Sequence, residues 1–202
     1  MILRWEKVAN RILYILGIIV LCSCASSSNL KIQKIDFSSF NDLNIDYGVL
    51  VIDNQFIKKI DAPYIDYYVP EKLGDLVRRW VNARFSLKNN NSVIVLKTTI
   101  LKANTLAFPL NTDDTIENLW NDQASLRIEM YIEAYIELLD EKGSQLAYCE
   151  VKAYKSKELG ENISLAERDY QIQEMTKSIL YDFDRLAVDK VKNVFKDYAS
   201  NP

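Results

Sequence analysis

The chain has 202 residues, of which 49% are hydrophobic, with 5 glycines and 4 prolines. This composition excludes a disordered, collagen-like or low-complexity chain, so a folded domain is expected. The formal net charge is −3, and this acidic balance argues against nucleic acid as a partner, because phosphate backbones attract clustered positive charge.

The first 23 residues are typical of a signal peptide. Arg4, Lys7 and Arg11 are followed by an uncharged stretch, ILYILGIIVL at residues 12–21. These 10 apolar residues are about half of the roughly 20 that a membrane-spanning helix needs, so we expect a signal peptide helix that is cut off. Its removal leaves 22 basic and 27 acidic residues, a net charge of −5.

The last residues of this segment carry a cleavage signal. Leu21-Cys22-Ser23-Cys24 resembles the lipobox of bacterial lipoproteins, in which an aliphatic residue and two small residues precede a cysteine that receives a thioether-linked diacylglycerol. Cys24 is the residue that matches, because at Cys22 the large Leu21 would sit just before the cleaved bond. The alternative is an ordinary secretory signal that is cut after Ser23 or Ala25.

The lipobox resemblance implies a location. Residues 24–31 are predicted to be the lipidated cysteine and a flexible polar leash to one domain at residues 32–202. The membrane is thus a predicted partner through the anchor at Cys24, since two or more acyl chains hold a protein stably. In Gram-negative lipoproteins an Asp after the cysteine favours the inner membrane, and here Ala25 follows. The expected location is the cell envelope, at the periplasmic face of the outer membrane.

Hydrophobic periodicity predicts an α+β domain, with a mainly antiparallel sheet of about five strands and two helices packed on one face. The predicted strands cover residues 32–40, 45–52, 93–103, 126–138 and 147–154. One helix begins at Pro70, which suits a first turn. The second begins with a capping box at residues 164–167 and continues almost to the C-terminus. A hairpin turn is expected at residues 140–143, with Gly143 where a positive φ is needed.

The chain contains no histidine. Ser-His-Asp and Cys-His pairs are therefore excluded, and the commonest zinc ligand is missing. We predict no catalytic residue, no metal and no cofactor. Cys149 lies on a strand face of small apolar residues and is expected to be a core residue rather than a nucleophile.

The predicted strand at residues 126–138 has a polar face that carries Glu129, Glu133 and Glu137 together with Tyr131 and Tyr135. Carboxylates about 7 Å apart for each two residues form a row rather than a converging pocket, which favours a solvated face over a metal or glycosidase site. Tyrosine is enriched at interfaces, so Tyr131 and Tyr135 are also candidates for binding a partner.

A long loop at residues 108–123 is the other candidate for binding. It carries Phe108, Leu119 and Trp120 among acidic residues, and long loops in compact domains are usually functional or mobile. Leu119 and Trp120 suit an interface and a lid over the core equally well.

A basic patch is expected on the first helix, at Arg78, Arg79 and Arg84. Lipid headgroups or an acidic partner would suit such a patch. An ordinary solvated helix face is the favoured interpretation.

Several motifs resemble a group of uncharacterised envelope lipoproteins of alphaproteobacteria. They are Trp80, Arg84-Phe85, the turn at residues 140–143, Leu165-Ala166-Glu167-Arg168-Asp169, Met175 and Asp182-Phe183-Asp184. The resemblance covers residues 70–198 and implies location and shape, not chemistry. The plan is also similar to that of accessory lipoproteins of lipopolysaccharide assembly and of lipid-transport ABC systems.

The leading hypothesis is a non-enzymatic, membrane-anchored lipoprotein that binds a protein or lipid partner. The first alternative is a lipid- or glycan-acting enzyme that uses carboxylates. A structural spacer is the second alternative.

Overall fold

The computed structural model describes residues 33–57, 59–86, 92–110, 125–161 and 163–199. These residues belong to one compact unit, Ile32–Pro202. The predicted signal peptide, Cys24 and the leash lie outside the described residues, and so do residues 111–123 of the predicted loop.

The described residues form four strands and two α-helices. In chain order they are β1 (Val49–Asn54), α1 (Leu73–Arg84), β2 (Val95–Pro109), β3 (Leu126–Leu139), β4 (Gln145–Leu159) and α2 (Leu165–Val194), followed by a short 3₁₀-helix (Lys196–Tyr198). The α+β class is confirmed. The sheet has the order β1-β2-β3-β4, so within the described residues it has four strands rather than about five.

The sheet is mixed, with one parallel pair. β1 pairs parallel with β2, whereas β2 with β3 and β3 with β4 pair antiparallel. Parallel neighbours need a long crossover, and α1 lies between β1 and β2 in the chain. The helical stripe after Pro70 therefore serves as the connection of a βαβ unit.

The predicted strand at residues 32–40 is wrong, because this segment does not join the sheet. Asp36 accepts hydrogen bonds from the backbone N–H and the hydroxyl of Ser38, and the N–H of Phe40 donates to the carbonyl of Phe37. Such local bonds compete with a strand ladder. Ile35 and Phe40 are nevertheless buried in the core.

Residues 33–45, here called the N-terminal strap, lie along the helices. Arg79 of α1 donates to Glu71 at 2.8 Å and to the carbonyl of Ile35 at 2.5 Å. Arg84 donates to Asp184 of α2 at 2.7 Å and to the carbonyl of Asn41 at 2.5 Å. Two residues of the predicted basic patch thus hold the strap: Arg84 is largely covered, whereas Arg79 keeps 43% of its side chain exposed.

The alternation predicted for residues 126–138 is confirmed in β3. Its even-numbered side chains from Leu126 to Leu138 are all buried. The turn to β4 is also as expected, since Gly143 has a φ of +80° and its N–H donates to the carbonyl of Asp140 at 3.0 Å.

Both helices pack on the same sheet face. A Cβ on Gly74 of α1 would lie 3.7 Å from Ala103 of β2, and the Thr176 hydroxyl of α2 lies 3.7 Å from the Met130 sulfur of β3. Ala103 and Met130 share a face, because Ala103 pairs with Ile132, two residues from Met130 on β3. The helices also meet each other, with the Trp80 and Phe183 rings 5.0 Å apart.

α2 covers the small side chains of β4, as expected from Cys149, Val151 and Ala153 on its inner face. The helix has 30 residues and begins at Ser164, whose hydroxyl accepts from the N–H of Glu167 at 3.2 Å. This is the N-cap interaction that the sequence predicts. The helix ends at Val194, four residues before Tyr198.

Candidate functional site

The polar face of β3 lies on the side of the sheet away from the helices. Tyr131 and Tyr135 alternate with the buried residues of β3, and Phe108 of β2 is paired with Arg127, which is on the same polar face. The structure therefore brings Phe108, Tyr131 and Tyr135 onto one surface. Leu119 and Trp120, the other predicted binding residues, lie outside the described residues.

Two tyrosines of β4 complete this surface. Tyr154 lies beside Tyr131 with ring centroids 4.8 Å apart, and Tyr148 stacks on Tyr135 at 5.2 Å. Tyr148 and Tyr154 are 50% and 54% exposed. We call this surface, with its four tyrosines, the tyrosine face. Alternation in β4 places Tyr148 and Tyr154 on its polar face, but their pairing with β3 depends on register.

A charged cluster lies between the two tyrosine pairs. Glu133 of β3 accepts from Lys102 of β2 at 2.8 Å and from Lys152 of β4 at 3.2 Å. The hydrogen bond from Lys102, assisted by Lys152, holds the pKa of Glu133 below its ordinary value. Glu133 is therefore ionised at neutral pH and does not act as a proton donor there. Lys152 also contacts Glu150 at 2.9 Å.

Glu129, at one end of the row of glutamates on β3, contacts Arg127 and Tyr131. Arg127 lies 2.9 Å from Glu129, and the Tyr131 hydroxyl donates to it at 2.7 Å. This hydrogen bond is the main cause of the raised pKa of Tyr131, and burial is the second cause. The Arg127 guanidinium lies 5.4 Å from the Phe108 ring centroid, a cation–π contact. The charges at this end are thus neutralised within the face.

The tyrosine face combines aromatic rings with paired charges. Its acidic side chains stand in a row along β3, as expected. Glu133 contacts a lysine, and Glu129 contacts an arginine and a tyrosine. Within the described ranges, no three His, Cys, Asp or Glu side chains are grouped so that they could hold a metal ion.

A concave surface lies elsewhere, between β4 and α2. This groove of about 340 Å³ is lined by Lys155, Ser156, Lys157, Glu174, Met175 and Ser178. Lys155 lies 2.8 Å from Asp182 of α2, and Lys157 donates to Gln171. Its lysines are therefore used in joining the helix to the strand.

Cys149 lies in the core, as expected, with 5% of its surface exposed. Burial raises the pKa of its thiol to about 11. A thiol with this pKa is a poor nucleophile at neutral pH because the thiolate is scarce.

We expect Cys149 to resist alkylation in the folded chain. At pH 8 a pKa near 11 leaves about 0.1% thiolate, against roughly 10% for a pKa near 9, so iodoacetamide should react about 100-fold more slowly than in urea. The measurement uses the full chain with Cys22→Ser and Cys24→Ser. Equal rates in the folded and unfolded chain would contradict the buried position.

No helix of the described part combines the length and the apolar character that crossing a bilayer requires. No protein-family model and no curated protein sequence matches the chain.

Solved structures give three similarities at low identity. A minor lipoprotein from Acinetobacter baumannii is 12% identical, with 78% of this chain and 99% of that chain covered and a TM-score of 0.40. A Caulobacter crescentus CB15 chain classed as a lipoprotein is 11% identical, with coverages of 70% and 88% and a TM-score of 0.35. A Helicobacter pylori homolog of the neuraminyllactose-binding hemagglutinin is 9% identical, with coverages of 78% and 100% and a TM-score of 0.35.

Proposed function

We propose that this chain is a bacterial envelope lipoprotein, anchored through acyl chains on Cys24, that binds a partner protein on its tyrosine face and has no catalytic role. The observation that carries the proposal is the half-exposed pair Tyr148 and Tyr154, each in contact with a tyrosine of β3, on the sheet face opposite the helices. The proposed location is the periplasmic side of the outer membrane, because Ala25 follows the cysteine.

A protein suits the tyrosine face better than a lipid bilayer does. Tyr and Arg are enriched at protein interfaces, where a polar rim surrounds rings that become buried. Glu133 stands between the tyrosine pairs and Glu129 lies beside Tyr131, and hydrocarbon would strip water from their charges at a large cost. A partner protein can form hydrogen bonds and ion pairs with the same carboxylates.

The absence of histidine supports a binding role over an enzymatic one. Glu133 has a lowered pKa, and Tyr131 has a raised one. These shifts move both groups away from neutrality, whereas general acids and bases work best with a pKa near the operating pH.

The test uses the full-length, lipidated protein in its native membranes. A photoreactive side chain at Ser156, an exposed residue that lies at the rim of the groove and pairs with Glu129 of the tyrosine face, should give a discrete protein adduct. Combining it with Tyr148→Ser and Tyr154→Ser should reduce the adduct at least tenfold, since aromatic hot spots contribute about 2 kcal/mol or more each. The matched control is Tyr181→Ser on α2, where the tyrosine is 45% exposed but on the helix side.

An adduct that persists in the Tyr148→Ser, Tyr154→Ser variant would overturn the proposal. The same holds if Tyr181→Ser reduces the adduct equally. A chain that gives no adduct at Ser156 would be a structural spacer instead of a binding protein.

A further inference from the structure

A second exposed surface follows β1 in the chain. Ile57 and Ile60 are 78% and 73% exposed, and Tyr67 and Tyr68 are 58% and 60% exposed. Isolated exposed apolar residues are ordinary, but here four large ones lie within twelve residues of one segment, and concentrated exposed apolar surface marks interaction sites. We call Ile57, Ile60, Tyr67 and Tyr68 the isoleucine patch.

The segment that carries this patch is held firmly at both ends. The backbone N–H of Phe56 donates to the carbonyl of Ile100, and the Phe56 ring lies against Gly74 of α1. Farther along, the N–H of Ile65 donates to the carbonyl of Thr105 at 2.9 Å, and Ile65 is buried. Phe56, which packs against the core, and buried Ile65 thus flank the two isoleucines, and buried Val69 follows the two tyrosines.

Two lysines lie over tyrosine rings of this region, which also carries the exposed Asp61. Lys59 lies over the Tyr64 ring at 4.9 Å, and Lys72 lies over the Tyr67 ring at 5.3 Å. Aliphatic side chains, tyrosines and lysines together are typical of surfaces at the boundary between phospholipid headgroups and acyl chains. The lysines would meet phosphates while the isoleucines enter the apolar layer.

The chain toward Cys24 leaves the domain close to this patch. The N-terminal strap begins at Gln33, whose carbonyl accepts from Gln173, and the N–H of Ile35 donates to Glu71 at 2.9 Å. Glu71 directly precedes Lys72, the residue that contacts Tyr67. The nine residues 24–32 span at most about 30 Å. A lipid on Cys24 would therefore keep Gln33 within that distance of a bilayer, and the patch at a high effective concentration near the membrane.

We propose that the isoleucine patch, with Lys59 and Lys72, inserts into the interface of the phospholipid bilayer to which the protein is anchored. The proposal rests on the proposed lipid anchor for its proximity to the membrane. The patch follows β1 and approaches β2 through Tyr64 and Ile65, whereas Tyr148 and Tyr154 lie on β4 at the other edge of the sheet. Bilayer contact thus leaves those two tyrosines open to a partner.

The experiment places the lipidated full-length protein in vesicles of phosphatidylethanolamine and phosphatidylglycerol that contain a phospholipid with a diazirine in its acyl chain. After illumination, mass spectrometry should find lipid adducts at residues 57–60 and 67–68, at least tenfold above those on Tyr148 and Tyr154. Replacing Ile57 and Ile60 by Asn should reduce the adducts on the segment at least tenfold. The matched control is Leu146→Asn on β4, an exposed leucine that should leave them unchanged.

Two outcomes would overturn the proposal. One is a lipidated protein whose adducts are absent from residues 57–68, and the other is labelling that the Ile57→Asn, Ile60→Asn variant does not change. A failure of the anchor itself is recognised separately, because the protein then carries no acyl chain in its intact mass. A patch that crosslinks to protein instead of lipid in native membranes would also overturn it.

Discussion

Replacing Trp80 by alanine should lower the free energy of unfolding by about 3 to 5 kcal/mol, the usual range for truncating a buried aromatic side chain. Trp80 is fully buried, and its ring contacts Phe183 at 5.0 Å and Phe85 at 5.9 Å. Its indole N–H donates to Asp184 at 2.6 Å. The substitution would leave a cavity between α1 and α2 and remove one of the bonds that join the two helices.

Chemical denaturation measures this effect, with two variants beside it. Trp80→Phe keeps much of the ring volume but loses the bond to Asp184, so a smaller loss of about 1 to 3 kcal/mol is expected. Arg78→Ala, at an exposed position on the same helix, should change stability by no more than about 0.5 kcal/mol. A loss below about 1 kcal/mol for Trp80→Ala would contradict the observed burial.

Replacing Cys24 by alanine should abolish incorporation of labelled palmitate. The thioether to diacylglycerol forms on the cysteine sulfur, and alanine has no atom that can replace it. Palmitate labelling is measured rather than membrane retention. If the signal peptide stays uncut in this variant, its apolar residues 12–21 would themselves keep the protein at the membrane.

The matched control is Cys22→Ala, which removes the neighbouring thiol and should leave labelling nearly unchanged. Palmitate incorporation that survives Cys24→Ala would remove the basis for the anchor. Labelling that persists in Cys24→Ala but is lost in Cys22→Ala would make Cys22 the lipidated residue.

The sequence by itself predicts the buried face of a helix or strand wherever a local repeat of apolar residues determines that face. In β3 the alternation from Leu126 to Leu138 predicts the core face, and the capping residue Ser164 predicts where α2 begins. Cys149 follows from the same argument, because its neighbours on the strand face are small and apolar. These features depend on residues two to four positions apart.

The tertiary structure decided what the segments pair with. Residues 45–52 read equally well as an antiparallel or a parallel strand, and only the packing of α1 over the sheet makes β1 a parallel neighbour of β2. The ring contact between Tyr148 and Tyr135 likewise depends on the register of β4 against β3, in which Tyr148 pairs with Glu137. Period-two alternation leaves this register open in steps of two residues.

The N-terminal strap shows the same division. Ile35 and Phe40 are apolar enough for the segment to resemble a weak strand. The hydrogen-bond partners of Ile35 and Asn41, however, are Glu71, Arg79 and Arg84, which are 36 to 44 residues away in the chain. Those arginines look like a solvated patch in a sequence because their acceptors are backbone carbonyls of the strap and a carboxylate of α2. Contacts between groups so distant in sequence leave no local period, so only the folded chain reveals them.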